Sequence, residues 1–329
     1  MAQPVTVYRW DDPGAPQLDT ATPDRIIDIL KKCLIEGYGT KSPLGWAVAF
    51  EDAANKKIVF RNDPIEGSGS FVQFWHVNDN TTYFRNAESM TGLDSFIYPG
   101  YLNSINLRNT FDNGKWIVAG TKTAFYLMFA RKEMDNYKPS TFDYSRNFFC
   151  GDFISTAVND VSSFICVGYN ISSDSTANTG TITTNTNNPL SGRGFSGNIF
   201  TKNAANSFGL KIRSSDGDIE IEQHNFYMVM NGTHVLPDGP LGGINLSDVI
   251  LYSANGNPAT KTNMPLVRGV LPGLLYLPTT YYASYPYPYF EKYNGDDYLL
   301  LPSDRVVTGQ SGGCYLMLNA EWWDGPNRG

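Results

Sequence analysis

Apolar runs joined by short turns are the feature that most limits what this chain can fold into. The segment "GKWIVAGTKTAFYLMFARKE", residues 114–133, contains two such runs on either side of Gly120 and Thr121. The segments "GWAVAFED" and "KKIVFRND" flank the turn residues "AAN", and "SGSFVQFWHVND" is followed closely by "TTYFRNAESM". Pairs of apolar runs at this spacing are typical of β-hairpins. The sequence therefore predicts a fold built from many paired strands.

The composition favours the same fold class. Aromatic residues make up 14% of the chain and charged residues only 17%, and there are 31 Gly and 19 Pro. Aromatic residues are enriched in strands, and Gly and Pro are enriched in turns. We therefore expect a mainly β protein with one or more turn-rich, β-sandwich-like domains.

The N-terminal segment carries the one clear helix signal. "VTVYRW" alternates as a short strand, and the prolines of "WDDPGAPQL" (residues 10–18) then bend the chain and stop strand pairing. Thr22 is placed to cap a helix that begins with Pro23, and Gly37 is placed to end it. Apolar residues recur between them at helical spacing, namely Ile26, Ile27, Leu30, Cys33 and Leu34. A small N-terminal α/β unit with one amphipathic helix is predicted.

Two segments are expected along the chain. Residues 1–95 would form the N-terminal strand-bend-helix unit with its hairpins, and residues 96–329 a large β-rich domain. The polar, low-complexity stretch "NISSDSTANTGTITTNTNNPLSGRG" is too long for an ordinary connection. It predicts an exposed polar loop near residues 170–194.

The charge and hydropathy of the sequence limit the partners and the compartment that we expect. The net charge is −7, and no stripe of Lys and Arg offsets it, so we expect no nucleic-acid partner. No apolar run approaches the roughly 20 residues that a membrane helix needs, so we expect no membrane partner. The first residues lack a basic segment followed by a signal-peptide core. Synthesis and folding in the cytoplasm are therefore expected.

The cysteine pattern agrees with a reducing compartment. Cys33, Cys150, Cys166 and Cys314 are scattered along the sequence without close spacing. Zinc sites use clustered ligands such as C-x2-C, which this chain lacks. Buried free thiols are therefore the expected state of these residues.

Patterns that would indicate catalysis are weak. Asp11 and Asp12 are adjacent, so in an extended segment their side chains point to opposite sides, unlike the facing carboxylates of a glycosidase. The serine of "GQSGG" (residues 309–313) would need a histidine and an aspartate, and nothing local favours His76 and Asp152 for these roles. We expect no catalytic residue, no metal site and no cofactor.

The tyrosine- and proline-rich segment "YYASYPYPYF" is the candidate interface. Its prolines remove strand hydrogen bonds, so a stiff, extended arm that presents aromatic rings is expected. The candidate residues are Tyr281, Tyr282, Tyr285, Tyr287, Tyr289 and Phe290. The arm would contact another subunit or stack on carbohydrate; the alternative is a loop held against its own domain.

A family resemblance follows from the N-terminal blocks. "VYRWDDPGAPQL", "IIDILKKCLIEGYG", "GWAVAFED" and "KIVFRND" together resemble the start of a set of virion structural proteins of tailed bacteriophages. Further similar blocks are "KWIVAGTKTAFYLMF", "FFCGDFIS" and "RGVLPGLLYLP". The run "DTATPDR" departs from the pattern, since a Gly- and Ser-rich entry to the helix is more usual there.

The resemblance implies a non-enzymatic structural component of the virion, incorporated after synthesis in the host cytoplasm. The resemblance leaves its location on the particle open among capsid decoration, the neck or collar, and the tail surface. Other virion proteins and further copies of the chain would be its partners. Two alternatives remain: a module that recognises a host-surface glycan through Tyr285, Tyr287 and Trp322, and a hydrolase of envelope polysaccharide.

Overall fold

The computed structural model describes most of the N-terminal half of the chain and a set of strands from the C-terminal half. The described residues are 2–78, 81–135, 145–170, 190, 210–213, 215, 217, 222–227, 246–253, 267–277, 285–301 and 315–326. Most of the expected polar loop near residues 170–194 lies outside these ranges. Tyr281, Tyr282, Cys314 and the "GQSGG" segment also lie outside them.

Twenty-two strands are present in the described ranges. The first eight are β1 (Ala2–Pro4), β2 (Thr6–Arg9), β3 (Ala47–Asp52), β4 (Lys57–Arg61), β5 (Phe71–Asn78), β6 (Thr81–Met90), β7 (Phe96–Pro99) and β8 (Asn103–Asn106). The next six are β9 (Lys115–Gly120), β10 (Ala124–Ala130), β11 (Ser145–Asp152), β12 (Ile154–Ser155), β13 (Phe164–Val167) and β14 (Tyr169–Asn170). The last eight are β15 (Leu210–Ile212), β16 (Glu222–Tyr227), β17 (Ser247–Ser253), β18 (Val267–Leu277), β19 (Phe290–Tyr293), β20 (Asp296–Leu301), β21 (Tyr315–Asn319) and β22 (Trp322–Asp324).

These strands form three large antiparallel sheets and one small one. The N-terminal sheet has the order β14-β8-β6-β5-β4-β3, with β7 also paired to β6. The central sheet has the order β13-β11-β10-β9-β2. The C-terminal sheet has the order β15-β16-β17-β18-β21-β20-β19, with β12 also paired to β18, and β1 pairs with β22 separately. The predicted mainly β fold is confirmed.

The central sheet is buried on both faces. Along β10, Phe125 and Leu127 point into a core shared with the N-terminal sheet and the helix, while Tyr126 and Met128 point into a core shared with the C-terminal sheet. Three sheets therefore stack in layers, packed face to face as expected for a β-sandwich-like fold. Uninterrupted apolar strands are typical of sheets covered on both faces, and each large side chain buried there contributes about 1.5–3 kcal/mol.

The core between the N-terminal and central sheets contains residues from both expected segments. Phe84 of β6 and Phe148 of β11 pack edge to face there, with ring centroids 5.9 Å apart. Residues on either side of position 95 thus share one apolar core. The division of the chain at that position stays a prediction.

The predicted helix is confirmed, with one difference at each end. Helix α1 (Pro23–Lys31) begins with Pro23 after Thr22, whose backbone is extended. The hydroxyl of Thr22 lies 3.4 Å from that of Thr20, not on a helix N–H. A π-helical turn, Lys32–Glu36, follows, and the Gly37 N–H donates to the carbonyl of Lys32 at 2.7 Å. Gly37 ends the helix at a φ of 75°, which glycine adopts without strain.

Candidate functional site

Asp12 holds the N-terminal bend in place. It accepts hydrogen bonds from the Arg9 N–H at 2.7 Å and the Tyr38 hydroxyl at 2.9 Å, and it forms an ion pair with Lys41 at 2.7 Å. Asp11 instead forms an exposed ion pair with Arg9. The two neighbouring carboxylates therefore have different surroundings, and Asp12 ties the bend to the loop that follows the helix.

The contacts of Asp12 also change its protonation. Burial would raise the pKa of its carboxyl group, but the hydrogen bonds from Lys41, Arg9 and Tyr38 and the positive charge of Lys41 outweigh burial. The net result is a pKa below the usual value. The carboxylate is thus held in its charged form as part of the bend.

A buried polar junction lies where β11 and β12 meet the outer sheets. In its first half, Asp152 accepts hydrogen bonds from the Asn62 side chain and the Ser68 N–H, each at 2.8 Å, and from the Ser163 hydroxyl at 3.1 Å. Asn62 also donates to the carbonyl of Thr123 at 3.2 Å. Asp152 therefore joins the central sheet to the loop after β4.

The second half of the junction is an ion pair inside the protein. Asp160 lies 2.7 Å from the Arg268 guanidinium, and the two side chains are 2% and 0% exposed. Asp160 also accepts hydrogen bonds from the Ser155 hydroxyl at 2.6 Å and the Ser162 N–H at 2.9 Å. The carboxylate is thus shared among groups of its own fold, and the arrangement supports a structural role.

The tyrosine-rich segment is divided between core and surface. Tyr287 is buried and stacks on Trp10, with centroids 6.2 Å apart and planes 12° apart. Its N–H donates to the carbonyl of Asp135 at 2.9 Å. Tyr285 is 36% exposed and stacks on Tyr289 at 4.3 Å.

Part of the candidate interface is therefore held against its own domain. Tyr287 contributes to the core, and Phe290, the first residue of β19, is half-buried. Tyr285 lies at the surface and stacks on Tyr289, which is half-buried and packs against the core below the C-terminal sheet. The Tyr289 hydroxyl donates to Glu291 at 2.9 Å. We call Tyr285 and Tyr289 the tyrosine pair.

A second aromatic surface surrounds Trp322, which is 42% exposed. Its indole N–H donates to Asp296 at 2.8 Å, and the Asn319 amide donates to the same carboxylate oxygen at 3.0 Å. The first bond fixes the edge of the ring and the second orients the carboxylate, while part of the Trp322 side chain remains exposed. The adjacent Trp323 is buried, because successive strand residues point to opposite sides.

The two aromatic surfaces lie at opposite ends of the β19–β20 hairpin. Tyr289 directly precedes β19, whereas Asp296 pairs with Tyr293 at the turn. Four residues of extended chain span about 13 Å. The tyrosine pair and Trp322 are therefore separate surfaces that different substitutions can test.

Among the described residues, no group of three or more His, Cys, Asp or Glu side chains could hold a metal ion. No helix within the described ranges is long and apolar enough to cross a membrane. Comparison with known proteins found no matching family model and no matching curated protein.

Proposed function

We propose that this chain is a non-enzymatic structural component of a tailed-phage virion that acts through protein–protein contacts. The N-terminal sequence blocks that resemble such proteins support the assignment to a virion. The observation that carries the contact function is the tyrosine pair: Tyr285 is exposed and already stacked on the half-buried Tyr289, so its ring loses little entropy on binding and suits an interface. Capsid decoration, neck or collar, and tail surface are the candidate positions.

The interior of the protein fits a scaffold role. The central sheet is covered on both faces, and the tyrosine pair directly precedes β19, the last strand in the order of the C-terminal sheet. The buried carboxylates of the polar junction are bonded within the fold. Other virion proteins and further copies of the chain are the proposed partners.

The test is rebinding to virions that have been stripped of this protein. The unaltered protein should form a defined oligomer by light scattering and rebind the stripped particles in a fixed ratio. Replacing Tyr285 by alanine should weaken rebinding by about 10-fold or more, because it removes an aromatic contact at the proposed interface. Sedimentation of particles with labelled protein measures the binding.

Ile65 provides the matched control for this experiment. It is a strongly exposed apolar side chain in the loop between β4 and β5. Its replacement by alanine should leave rebinding unchanged. A monomeric protein that does not bind the particles, or equal losses for both variants, would contradict the proposal.

Recognition of a host-surface glycan is the second candidate function, and Trp322 favours it. An exposed indole held by the Asp296 carboxylate, which in turn accepts from the Asn319 amide, offers both a stacking face and nearby polar groups for a sugar. Replacing Trp322 by alanine should then reduce binding to glycan arrays by about 10-fold. Tyr285→Ala is the control, since it alters the other end of the hairpin.

Tyr287 is unsuited to either test, because its replacement would disturb the core at Trp10. Glycan binding that is unaffected by Trp322→Ala, or no binding by the unaltered protein, would argue against glycan recognition. A glycan-binding protein that also fails to rebind particles would favour recognition over assembly.

A further inference from the structure

Two cysteines face each other across neighbouring strands of the central sheet. Cys150 of β11 pairs directly with Cys166 of β13 in the antiparallel register. Their Sγ atoms are 3.5 Å apart, and both side chains are buried. Cys33, in the π-helical turn, is also a buried free thiol.

The backbone at this pair has the spacing that a disulfide requires. Directly opposed residues of antiparallel strands have Cα atoms about 4.5–5.5 Å apart, and disulfides join Cα atoms about 4.4–6.8 Å apart. Bond formation therefore needs the two thiols to approach by about 1.5 Å, to the disulfide bond length of about 2.05 Å. We propose that Cys150 and Cys166 are a covalent modification site, at which oxidation links β11 to β13. This proposal is independent of the virion role.

Hydrogen peroxide is the class of oxidant that suits this site, because it is small enough to reach thiols beneath the surface. One thiolate attacks a peroxide oxygen, which breaks the O–O bond and gives a sulfenic acid. The second thiol displaces the sulfenic oxygen as water and forms the S–S bond. The sum is two thiols and one peroxide giving one disulfide and two waters.

Burial controls how readily the pair reacts. Burial, and after it the neighbouring Cys150 thiol, raises the pKa of the Cys166 thiol, so little reactive thiolate is present in the closed protein. β13 is the terminal strand of the central sheet as described, and it has only four residues. Local opening of β13 is therefore the route by which the thiols react.

The link would fix the chain where it crosses between layers. β13 belongs to the central sheet, whereas β14, which begins at Tyr169 three positions after Cys166, belongs to the N-terminal sheet. The two cysteines are 16 positions apart, so the disulfide closes a short loop. Closing a loop of this size should raise the melting temperature by about 5 °C.

The experiment treats the full-length chain with hydrogen peroxide, blocks the remaining thiols and maps the peptides by mass spectrometry. A protease that cleaves at aspartate is suitable, because Asp152 and Asp160 lie between the two cysteines and separate them into different peptides. We expect a Cys150–Cys166 cross-linked product, loss of two of the four thiols, and a melting temperature that returns to its starting value on reduction.

Two variants complete the test. Cys33→Ala should still form the link, whereas Cys166→Ala should abolish it. Where Cys166→Ala fails to fold, the peptide map of the unaltered chain decides. A link to Cys33 or Cys314, a disulfide between two chains, oxidation to sulfinic acid alone, or retention of all four thiols would overturn the proposal.

Discussion

Replacing Asp160 by alanine is expected to lower the free energy of unfolding by about 3–5 kcal/mol. The change removes the carboxylate that pairs with Arg268 inside the protein, where the guanidinium is 0% exposed. It also removes the acceptor of the Ser155 hydroxyl and the Ser162 N–H. A buried charge that loses its counter-charge cannot recover the lost energy from water. Urea unfolding at neutral pH, followed by circular dichroism, measures the effect.

An exposed ion pair of similar length is the control for this prediction. Glu66 lies 2.6 Å from Lys122 at the surface, and Glu66→Ala should cost no more than about 0.5 kcal/mol. Replacing both Asp160 and Arg268 by apolar residues should recover part of the loss, because no charge then remains buried. A cost below about 1 kcal/mol for Asp160→Ala would show that the junction contributes little.

Asp12→Ala is expected to cost about 2 kcal/mol, because it removes the shared acceptor of the Arg9 N–H, the Tyr38 hydroxyl and Lys41. Asp11→Ala is the matched neighbour and should cost about 0.5 kcal/mol or less, since its ion pair with Arg9 is exposed. The same denaturation experiment compares the two. Equal costs would contradict the structural role of Asp12.

The contribution of Asp12 should also depend on pH. Its folded-state pKa lies below the unfolded value, so the charged carboxylate stabilises the protein above the unfolded pKa near 4. That stabilisation is lost as the pH falls through the lower, folded-state pKa. The difference in stability between unaltered protein and Asp12→Ala should therefore shrink below about pH 4. A constant difference from pH 7 to pH 2 would exclude this explanation.

Local signals were sufficient to predict much of the fold. The turn after Gly120 joins β9 and β10, as the two apolar runs on either side of it predicted. Pro23 and Gly37 mark the two ends of the helical segment. These features depend on residues close together in sequence, where the conformations of proline and glycine and the spacing of apolar residues act directly.

Features that depend on distant partners were not predictable in the same way. Asp160 and Arg268 are 108 positions apart, and neither lies in a pattern that marks a buried ion pair. Tyr287 is buried and Tyr285 exposed because Trp10, far away in sequence, covers one of them. The pairing of Cys150 with Cys166 depends on the strand register, which their spacing alone does not specify.

The position of the central sheet between two layers affects how the chain folds. Its strand β2 pairs with β9 across more than a hundred residues, and such non-local pairing slows folding. Until both outer layers are in place, the uncharged strand β10 exposes apolar side chains on two sides, which favours association between chains. All of the N-terminal layer except β14 precedes β10 in the chain, whereas most of the C-terminal layer follows it by about eighty residues or more. During synthesis, the face of β10 that packs on the C-terminal sheet therefore stays uncovered for longer than the other face. A chaperone would be needed most in that interval.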